Sequence, residues 1–285
     1  MSNKTAVAVG LFDGIHDGHR LVLNMALSFK ELKPAVFTFN TESVKFKHGK
    51  PFEYIYTNEF KIEMLNKLGF EEIYSPDFGQ LKDMEGEEFA RTVLCEKMNA
   101  GAVVCGGNFR FGKNASCGIG ELKEYGEKYG FEVRTAVLGD DAFSSEKFRS
   151  CLRSGDVQEL LRRNCPYRIS AEVTEGNRIG RTIDFPTINQ NFSNGQLVPK
   201  NGVYATETIL NGIPYVSVTN VGVKPTVEDN IRPLAETHIL DYSGDLYGKK
   251  VEVRFREFVR SERKFSSVEE LKRQISADID YIRKD

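Results

Sequence analysis

The pattern of apolar residues changes near Cys165, and this change constrains the fold more than any other feature of the 285-residue chain. Before it, short β-branched and aromatic runs alternate with stretches of helical periodicity, which predicts a parallel sheet flanked by helices. After it, apolar residues recur with a period of two in several short runs, which predicts a β-barrel. A last stripe of helical periodicity, over residues 267–283 and with a capping-box spacing at its start, predicts a helix packed on that barrel. We therefore expect two domains, 1–163 and 164–285.

Composition narrows the class of protein. Lysine and arginine number 39 against 41 aspartate and glutamate, so the net charge is -2. This composition gives no sign of a broad basic surface for binding nucleic acid or an anionic membrane. The first residues lead directly into an apolar run without a signal peptide or a membrane span, so we expect a cytoplasmic protein. Five cysteines without a C-x-x-C pair argue against a disulfide framework and a zinc site. The expected partners are small-molecule substrates, with no nucleic acid, membrane or obligate protein partner.

The segment GLFDGIHDGH, from Gly10 to His19, joins an apolar run, Ala6 to Val9, to a stretch of helical spacing. Because a helix N-terminus offers unpaired N–H groups and a partial positive charge, glycines and imidazole donors at this point suit an anionic phosphate. Taken alone, a glycine-rich turn with two exposed histidines explains the same residues.

Two further segments are expected on the same edge of the sheet, where the parallel strands end. CGGNFRFGKNASCG, from Cys105, carries Phe109 and Phe111 in a loop, where exposed aromatic rings indicate a flat ligand. Core packing of both rings is the alternative. FSSEKFR, from Phe143, combines two hydroxyl groups with Arg149, and its serines equally suit a plain helix N-cap.

In the second half of the chain, GNRIGRTIDFPTINQ, from Gly176, is the strongest signal. Thr187 and Asn189 lie two apart in an extended segment, so their neutral oxygens point to one side and can share a hard cation already bound to phosphates. An Asx-type turn is the alternative for these residues.

These motifs resemble those of one enzyme family. The first loop resembles the G-x-F-D-G-x-H-x-G-H signature of nucleotidyltransferases, and the second resembles G-x-(D/N)-F-x-F-G. The third resembles I-S-S-T-x-I-R, with Glu146 in place of the threonine. The segment from Gly176 resembles the flavokinase signature G-R-x-x-G-F-P-T-A-N, with Asp184 and Ile188 as departures. With further landmarks toward the C-terminus, the resemblance covers essentially the whole chain and is to the bacterial bifunctional riboflavin kinase/FMN adenylyltransferase (FAD synthetase) family.

The resemblance implies an α/β architecture in two parts. Residues 1–163 are expected to form a Rossmann-like nucleotidyltransferase domain, the FMN adenylyltransferase. Residues 164–285 are expected to form a Greek-key β-barrel riboflavin kinase domain with a C-terminal helix. The implied enzyme phosphorylates riboflavin to FMN and adenylylates FMN to FAD with release of pyrophosphate. Mg2+ is the implied cofactor, ATP the co-substrate, and riboflavin, FMN and FAD the substrates and products.

The resemblance also assigns site residues, position by position. Glu236 is expected to be the base for the ribityl hydroxyl, and His16 and His19 to stabilise charge on the phosphates. The residues expected to bind ATP are Gly10, Phe12, Asp13, Gly14, Asn108, Ser144, Ser145, Arg149, Gly180 and Arg181. Those expected at the flavin are Phe109, Phe111, Arg260 and Phe265, and those expected to hold the metal are Thr187 and Asn189.

Alternatives stay open at this point. Glu146 places an acceptor-only negative charge where triphosphate oxygens are expected, which favours a riboflavin kinase with a degenerate nucleotidyltransferase domain. A non-catalytic flavin or nucleotide sensor is a second alternative. Glu236 also fits a solvent-facing strand carboxylate, and Arg260 equally fits a surface pair with Glu262.

Overall fold

The chain divides into two compact units, Met1–Phe148 and Arg149–Asp285. The computed structural model describes residues 3–47, 50–137, 139, 143–175, 184–224 and 232–284. In the described part of the chain, no helix is both long and apolar enough to cross a membrane.

A five-stranded parallel sheet of order β5-β2-β1-β6-β7 forms the centre of the first unit. Its strands are β1 (Thr5–Val9), β2 (Lys33–Phe37), β5 (Glu72–Tyr74), β6 (Ala100–Gly106) and β7 (Glu132–Ala136). A short antiparallel pair lies outside this sheet, β3 (Phe46–Lys47) with β4 (Lys50–Pro51). β1 is buried along its whole length, as expected for a central strand that is covered on both faces. The predicted parallel sheet is confirmed.

Helices of the first unit cover this sheet. They are α1 (Asp17–Leu27), α2 (Asn58–Lys67), α3 (Phe78–Leu81), α4 (Gly86–Glu88) and α5 (Ile119–Tyr129), with 3-10 turns at Thr41–Ser43 and Lys113–Ala115. After α4 the chain continues as a π-helical segment, Phe89–Lys97. Buried side chains lie at Phe89 and four, five and nine residues after it, at Val93, Leu94 and Met98, which suits hydrogen bonds that span five residues instead of four. The predicted apolar face is confirmed, on a wider helix.

The second unit contains a six-stranded antiparallel sheet of order β8-β13-β10-β11-β12-β9, which forms a near-closed Greek-key barrel. Its strands are β8 (Arg168–Glu172), β9 (Ile188–Asn191), β10 (Gly202–Leu210), β11 (Ile213–Lys224), β12 (Arg232–Ile239) and β13 (Lys250–Arg260). Between β10 and β11, Asn211 and Gly212 both have positive φ, which suits a tight two-residue hairpin. The sequence predicts only an extended segment at β9, where the apolar residues are too few to show a strand.

Three helices complete the described structure: α6 (Ser145–Ser154), α7 (Val157–Arg162) and α8 (Val268–Ile282). The Ser267 hydroxyl caps α8 by accepting a bond from the Glu270 N–H at 3.2 Å. The Glu270 carboxylate reaches back to the N–H and hydroxyl of Ser266, at 2.9 and 2.8 Å, so the predicted capping box closes one residue earlier than expected. Ile279 and Ile282 pack against apolar residues of the barrel, Val203, Ala205 and Val218.

The barrel interior contains a row of hydroxyl groups. Five side chains, each at most 2% exposed, form it: Thr206, Thr208, Ser217, Thr219 and Thr237. Thr206 contacts Ser217 at 2.9 Å and Thr219 at 2.8 Å, and Thr219 contacts Thr237 at 2.9 Å. Thr208 donates to Ser217 at 2.9 Å. Because each hydroxyl can both donate and accept, the members of the row satisfy one another inside the barrel.

Candidate active sites

The loop between β1 and α1 contains a strained turn. Phe12, Gly14 and Ile15 have φ of 52°, 86° and 38°. These values lie in the left-handed region, which is energetically unfavourable for a β-branched residue such as isoleucine. Phe12 and Ile15 are almost completely buried, so packing holds them in this conformation. A Cβ at Gly10 would lie 3.0 Å from the Phe12 ring, which explains the glycine. The turn delivers His16 to the N-cap position of α1.

Asp13 braces the turn against a neighbouring segment. Its carboxylate is 2% exposed and accepts bonds from the Ile55 N–H, at 2.9 and 3.1 Å, and from the Tyr56 N–H, at 3.0 Å. Such charge-assisted bonds to backbone N–H groups are stronger than neutral ones. The expected ATP-binding residue Asp13 thus lies beneath the loop and fixes its shape.

The two histidines lie against each other. Their rings stack with centroids 3.7 Å apart and planes inclined by 25°, and the Phe12 ring meets His19 edge-on at 5.4 Å. His16 Nε2 lies 2.9 Å from the Ser145 hydroxyl, which also reaches the Asp13 carbonyl at 3.4 Å. The structure therefore brings together two segments that lie far apart in sequence, as the strand-end argument predicts. The resulting cluster of imidazole and hydroxyl groups can donate to anionic oxygens.

The other serine of the third segment has a different contact. Ser144 accepts a bond from the Lys147 N–H at 3.3 Å, as a helix cap does. Arg149 lies one turn further along α6 than Ser145. Glu146 is exposed in the first turn of α6, where the helix dipole stabilises a negative charge.

The expectation that both aromatic rings of the Cys105 loop are exposed is wrong for Phe111. Phe111 is 7% exposed and packs in the core of the sheet against Phe89. Reciprocal backbone bonds with Cys117, both at 3.0 Å, close the loop and turn the ring inward. Phe109 is half-buried and stacks on Phe111 with centroids 5.6 Å apart, while Asn108 is exposed beside it. One partly accessible ring remains at this position.

In the second unit, strand register brings three polar residues into one row. Glu236 on β12 lies directly opposite Asn189 on β9 and opposite Asn220 on β11. Paired positions of adjacent strands project to the same face. Thr187 lies just before β9 and lines a cavity together with Thr237, the neighbour of Glu236. The Glu236 carboxylate is half-buried, which differs from a fully solvent-facing strand carboxylate. A carboxylate and two amides therefore share one surface of the barrel.

Asn189 has the chemistry of a cation ligand. Asn189 is 5% exposed, and its side-chain Oδ1 has no hydrogen-bond partner in the described structure. A buried acceptor in that state costs about 1–3 kcal/mol unless a ligand or donor satisfies it. Its backbone carbonyl accepts from the Thr174 N–H at 2.8 Å, which holds the residue in place. Among the described residues, no group of three or more His, Cys, Asp or Glu side chains could hold a metal. An amide oxygen such as Asn189 Oδ1 is a ligand type that suits Mg2+ bound at the same time to phosphates.

A cavity of about 190 Å³ adjoins Thr187. It is lined by Pro186, Thr187 and Thr237 and by the loop 242–247. His238 donates from Nδ1 to the Pro186 carbonyl at 2.7 Å, and its ring meets the Phe185 ring edge-on. The expected ATP-binding residues Gly180 and Arg181 lie outside the described residues.

The pairing of Arg260 differs from the surface pair with Glu262. The Arg260 guanidinium binds the buried carboxylate of Asp278 on α8 through three contacts of 2.8 to 3.1 Å. Glu262 instead accepts from Asn220 Nδ2 at 3.3 Å. Phe265 is half-buried, with its ring centre 5.9 Å from the Arg260 guanidinium carbon and 4.7 Å from that of Arg263. The buried carboxylate of Asp278 thus fixes the position of the Arg260 guanidinium.

Comparison with known proteins assigns both units. Residues 1–146 match the FAD synthetase family and residues 163–285 match the riboflavin kinase family. The bifunctional riboflavin kinase/FMN adenylyltransferase of Bacillus subtilis is 33% identical, covering 96% of this chain and 90% of its own. This chain belongs to the bifunctional riboflavin kinase/FMN adenylyltransferase family. A protein of that name from Escherichia coli is 31% identical over 95% of this chain and 90% of its own.

A solved structure shares the fold of this family member over nearly its whole length. It is described as a macrolide-efflux protein from Streptococcus pneumoniae, with 28% identity and a TM-score of 0.85 over 99% of this chain and 95% of that chain. The likeness supports the architecture described above for the family member, a parallel α/β sheet followed by a Greek-key barrel.

Sequence reasoning missed Lys61 in this bifunctional family member. It is fully buried on α2 and donates to the carbonyl of Leu11, just before the strained turn, and to the Thr38 hydroxyl. No local signal marks it, since a lysine between Phe60 and Ile62 fits a solvent-facing helix position.

Proposed function

We propose that this chain carries out both reactions of its family: it phosphorylates riboflavin to FMN with ATP and adenylylates FMN to FAD, releasing pyrophosphate. The observation that carries this function is the presence in one chain of segments that match both families. We assign adenylylation to residues 1–163 and phosphorylation to residues 164–285. Both reactions consume ATP, so we propose action in the cytoplasm on small-molecule substrates.

For adenylylation, a phosphate oxygen of FMN attacks the α-phosphorus of ATP, and pyrophosphate leaves. We assign to His16 and His19 the stabilisation of charge that develops on the phosphates, and to Ser145 the positioning of His16 through its 2.9 Å contact. The remaining proposed ATP contacts come from Gly10, Gly14, Asn108, Ser144 and Arg149. Phe12 and Asp13 support the loop that carries these contacts. Phe109 supplies a ring face for the flavin, and the Phe111 ring stacks behind Phe109.

For phosphorylation, the ribityl 5′-hydroxyl attacks the γ-phosphorus of ATP, and ADP leaves. Glu236 accepts the proton of that hydroxyl. Thr187 and Asn189 would hold Mg2+, which when bound supplies charge neutralisation at the phosphates. Arg260 and Phe265 are assigned to the flavin side of the site, with Gly180 and Arg181 assigned to ATP.

The alternatives have less support. Glu146 occupies an exposed helix start that favours its charge, so its presence does not by itself imply a degenerate adenylyltransferase. A sensor without catalysis would need no proton acceptor opposite a candidate cation ligand, as Glu236 is opposite Asn189.

A chromatographic time course tests the function, with riboflavin, ATP and Mg2+ supplied and riboflavin, FMN and FAD separated. We expect FMN and then FAD. Glu236→Gln should abolish FMN formation and leave conversion of supplied FMN to FAD intact, whereas His16→Ala should do the reverse. FMN that accumulates in the unaltered enzyme, without FAD even when FMN is supplied, would refute adenylylation and leave the kinase.

A further inference from the structure

Lys61 occupies a position that needs a physical reason. It lies on α2 at 0% exposure, among the largest completely buried side chains described. Lysine is almost never buried to this extent unless its charge has partners, because removing an ammonium from water is strongly unfavourable.

The Lys61 ammonium points to oxygens beside the first loop. Nζ donates to the Thr38 hydroxyl at 3.0 Å, more closely to the Phe39 carbonyl, and at the longer distance of 3.5 Å to the Leu11 carbonyl. The Thr38 hydroxyl in turn donates to the same Leu11 carbonyl at 2.9 Å. Three protons of the ammonium thus have three oxygen acceptors, and Leu11 is held from two sides.

Leu11 immediately precedes the strained turn. Phe12, Gly14 and Ile15 all have positive φ, and such conformations persist only where the surrounding structure fixes them. Asp13 anchors the middle of the turn to the Ile55 and Tyr56 N–H groups. The Lys61 contacts anchor its start.

We propose that Lys61 is a positioning residue for adenylyl transfer: its ammonium fixes the Leu11 carbonyl and, through the strained turn, the placement of His16 and His19. This inference rests on the proposed adenylylation function. It gives α2, which contributes none of the assigned site residues, a part in shaping the phosphate loop.

The charge of Lys61 is sensitive to pH near neutrality. Burial lowers its pKa from 10.5 to about 7, against the opposing effects of Asp13 and Glu42, the charged groups that act on it. Above this pKa the neutral amine has two protons for three acceptors and turns a lone pair toward an oxygen. Adenylyl transfer should therefore decline as the pH rises through this range. The negative charge of bound ATP favours the charged form of Lys61 and so raises its pKa. The decline in kcat should therefore lie at higher pH than the decline in kcat/KM, which reports the free enzyme.

The test uses the full chain with Lys61→Met, and Lys67→Met as the matched control. Lys67 lies on the same helix, is exposed and pairs only with Glu63 among the contacts described, at 2.6 Å. Both reactions are followed from about pH 5.5 to 9.5, a range that includes the ordinary pKa of histidine and extends toward that of lysine. In Lys61→Met, adenylyl kcat should fall at least about tenfold, as for loss of one charge-assisted hydrogen bond, and the decline near neutral pH should vanish. Riboflavin phosphorylation should be unchanged, and Lys67→Met should retain the unaltered profile.

Several results would overturn the inference. One is an Lys61→Met enzyme with unaltered adenylyl transfer, and another is an adenylyl profile in the unaltered enzyme that stays flat from about pH 6 to 8. If Lys61→Met does not fold, lysine side-chain NMR of the unaltered enzyme provides the test. We expect one lysine signal whose titration midpoint coincides with that of adenylyl transfer. Titration of every lysine signal near the ordinary lysine pKa would refute the inference. Absence of FAD formation by the unaltered enzyme would instead refute the proposed function.

Discussion

Replacing Asp278 with asparagine should loosen α8 from the barrel. The Asp278 carboxylate is buried and accepts from Arg260 at 2.8 to 3.1 Å and from Gln274 Nε2 at 2.7 Å. Asparagine keeps the volume, removes the negative charge and turns an NH2 group toward a guanidinium or amide donor. The change therefore isolates the charge pair from the packing of the helix.

The magnitude follows from burial. Breaking a buried ion pair costs about 3–5 kcal/mol, because the remaining charge is left without compensation. The Arg260 side chain is 20% exposed, so water recovers part of that loss, and about 2–3 kcal/mol of unfolding free energy is expected. For a unit of this size, such a loss lowers Tm by roughly 6–10 °C.

Differential scanning calorimetry of the full chain measures the effect, and Asp280→Asn is the matched control because Asp280 is exposed on the same helix. Riboflavin phosphorylation provides a second measurement, since a displaced Arg260 should raise the KM for riboflavin more than it lowers kcat. If Asp278→Asn unfolds within about 0.5 kcal/mol of Asp280→Asn, the ordinary range for surface substitutions, the pair does not hold the helix and the argument from burial is wrong.

Two further predictions concern the cores. Thr219→Val removes the hydroxyl that contacts both Thr206 and Thr237, so it should cost about 1–3 kcal/mol in urea unfolding, and a loss below the error of the measurement would contradict the shared role. The lowered pKa of Lys61 means that between pH 7 and 10.5 the unfolded chain holds a proton that the folded chain has lost. Stability should therefore rise with pH over that window by up to about 1.4 kcal/mol per pH unit, opposite in direction to adenylyl transfer, and calorimetry of Lys61→Met should show a smaller slope.

Much of the architecture follows from the sequence, because hydrophobic periodicity is a local property. The strands of the parallel sheet are visible as short apolar runs, most barrel strands as a repeat of two residues, and the stripe of α8 as a repeat of about 3.6 residues, whereas β9 shows no such pattern. Sequence motifs also indicate where the candidate sites lie, and the contact between His16 and Ser145 agrees with the strand-end argument. The roles of the individual site residues remain proposals.

What could not be predicted depends on contacts between distant segments. Phe111 turns into the core because of its reciprocal backbone bonds with Cys117, and a loop sequence does not reveal which way a ring points. The Asp13 carboxylate accepts hydrogen bonds from the Ile55 and Tyr56 N–H groups, which lie more than forty positions away in the sequence. The burial of Lys61 and the partner of Arg260 likewise depend on neighbours that only the folded chain supplies.

The hydroxyl row of the barrel has an evolutionary consequence. Losing one member leaves a neighbour in the dry interior without its partner, whereas replacing two partners together by apolar groups of similar shape is nearly neutral. The path from a hydroxyl to an apolar residue at Thr219 therefore passes through a destabilised single substitution unless Thr206 or Thr237 changes as well. Among descendants of this chain, these positions should be exchanged in pairs, and the interior should keep its polar character long after the outer faces of the same strands have diverged.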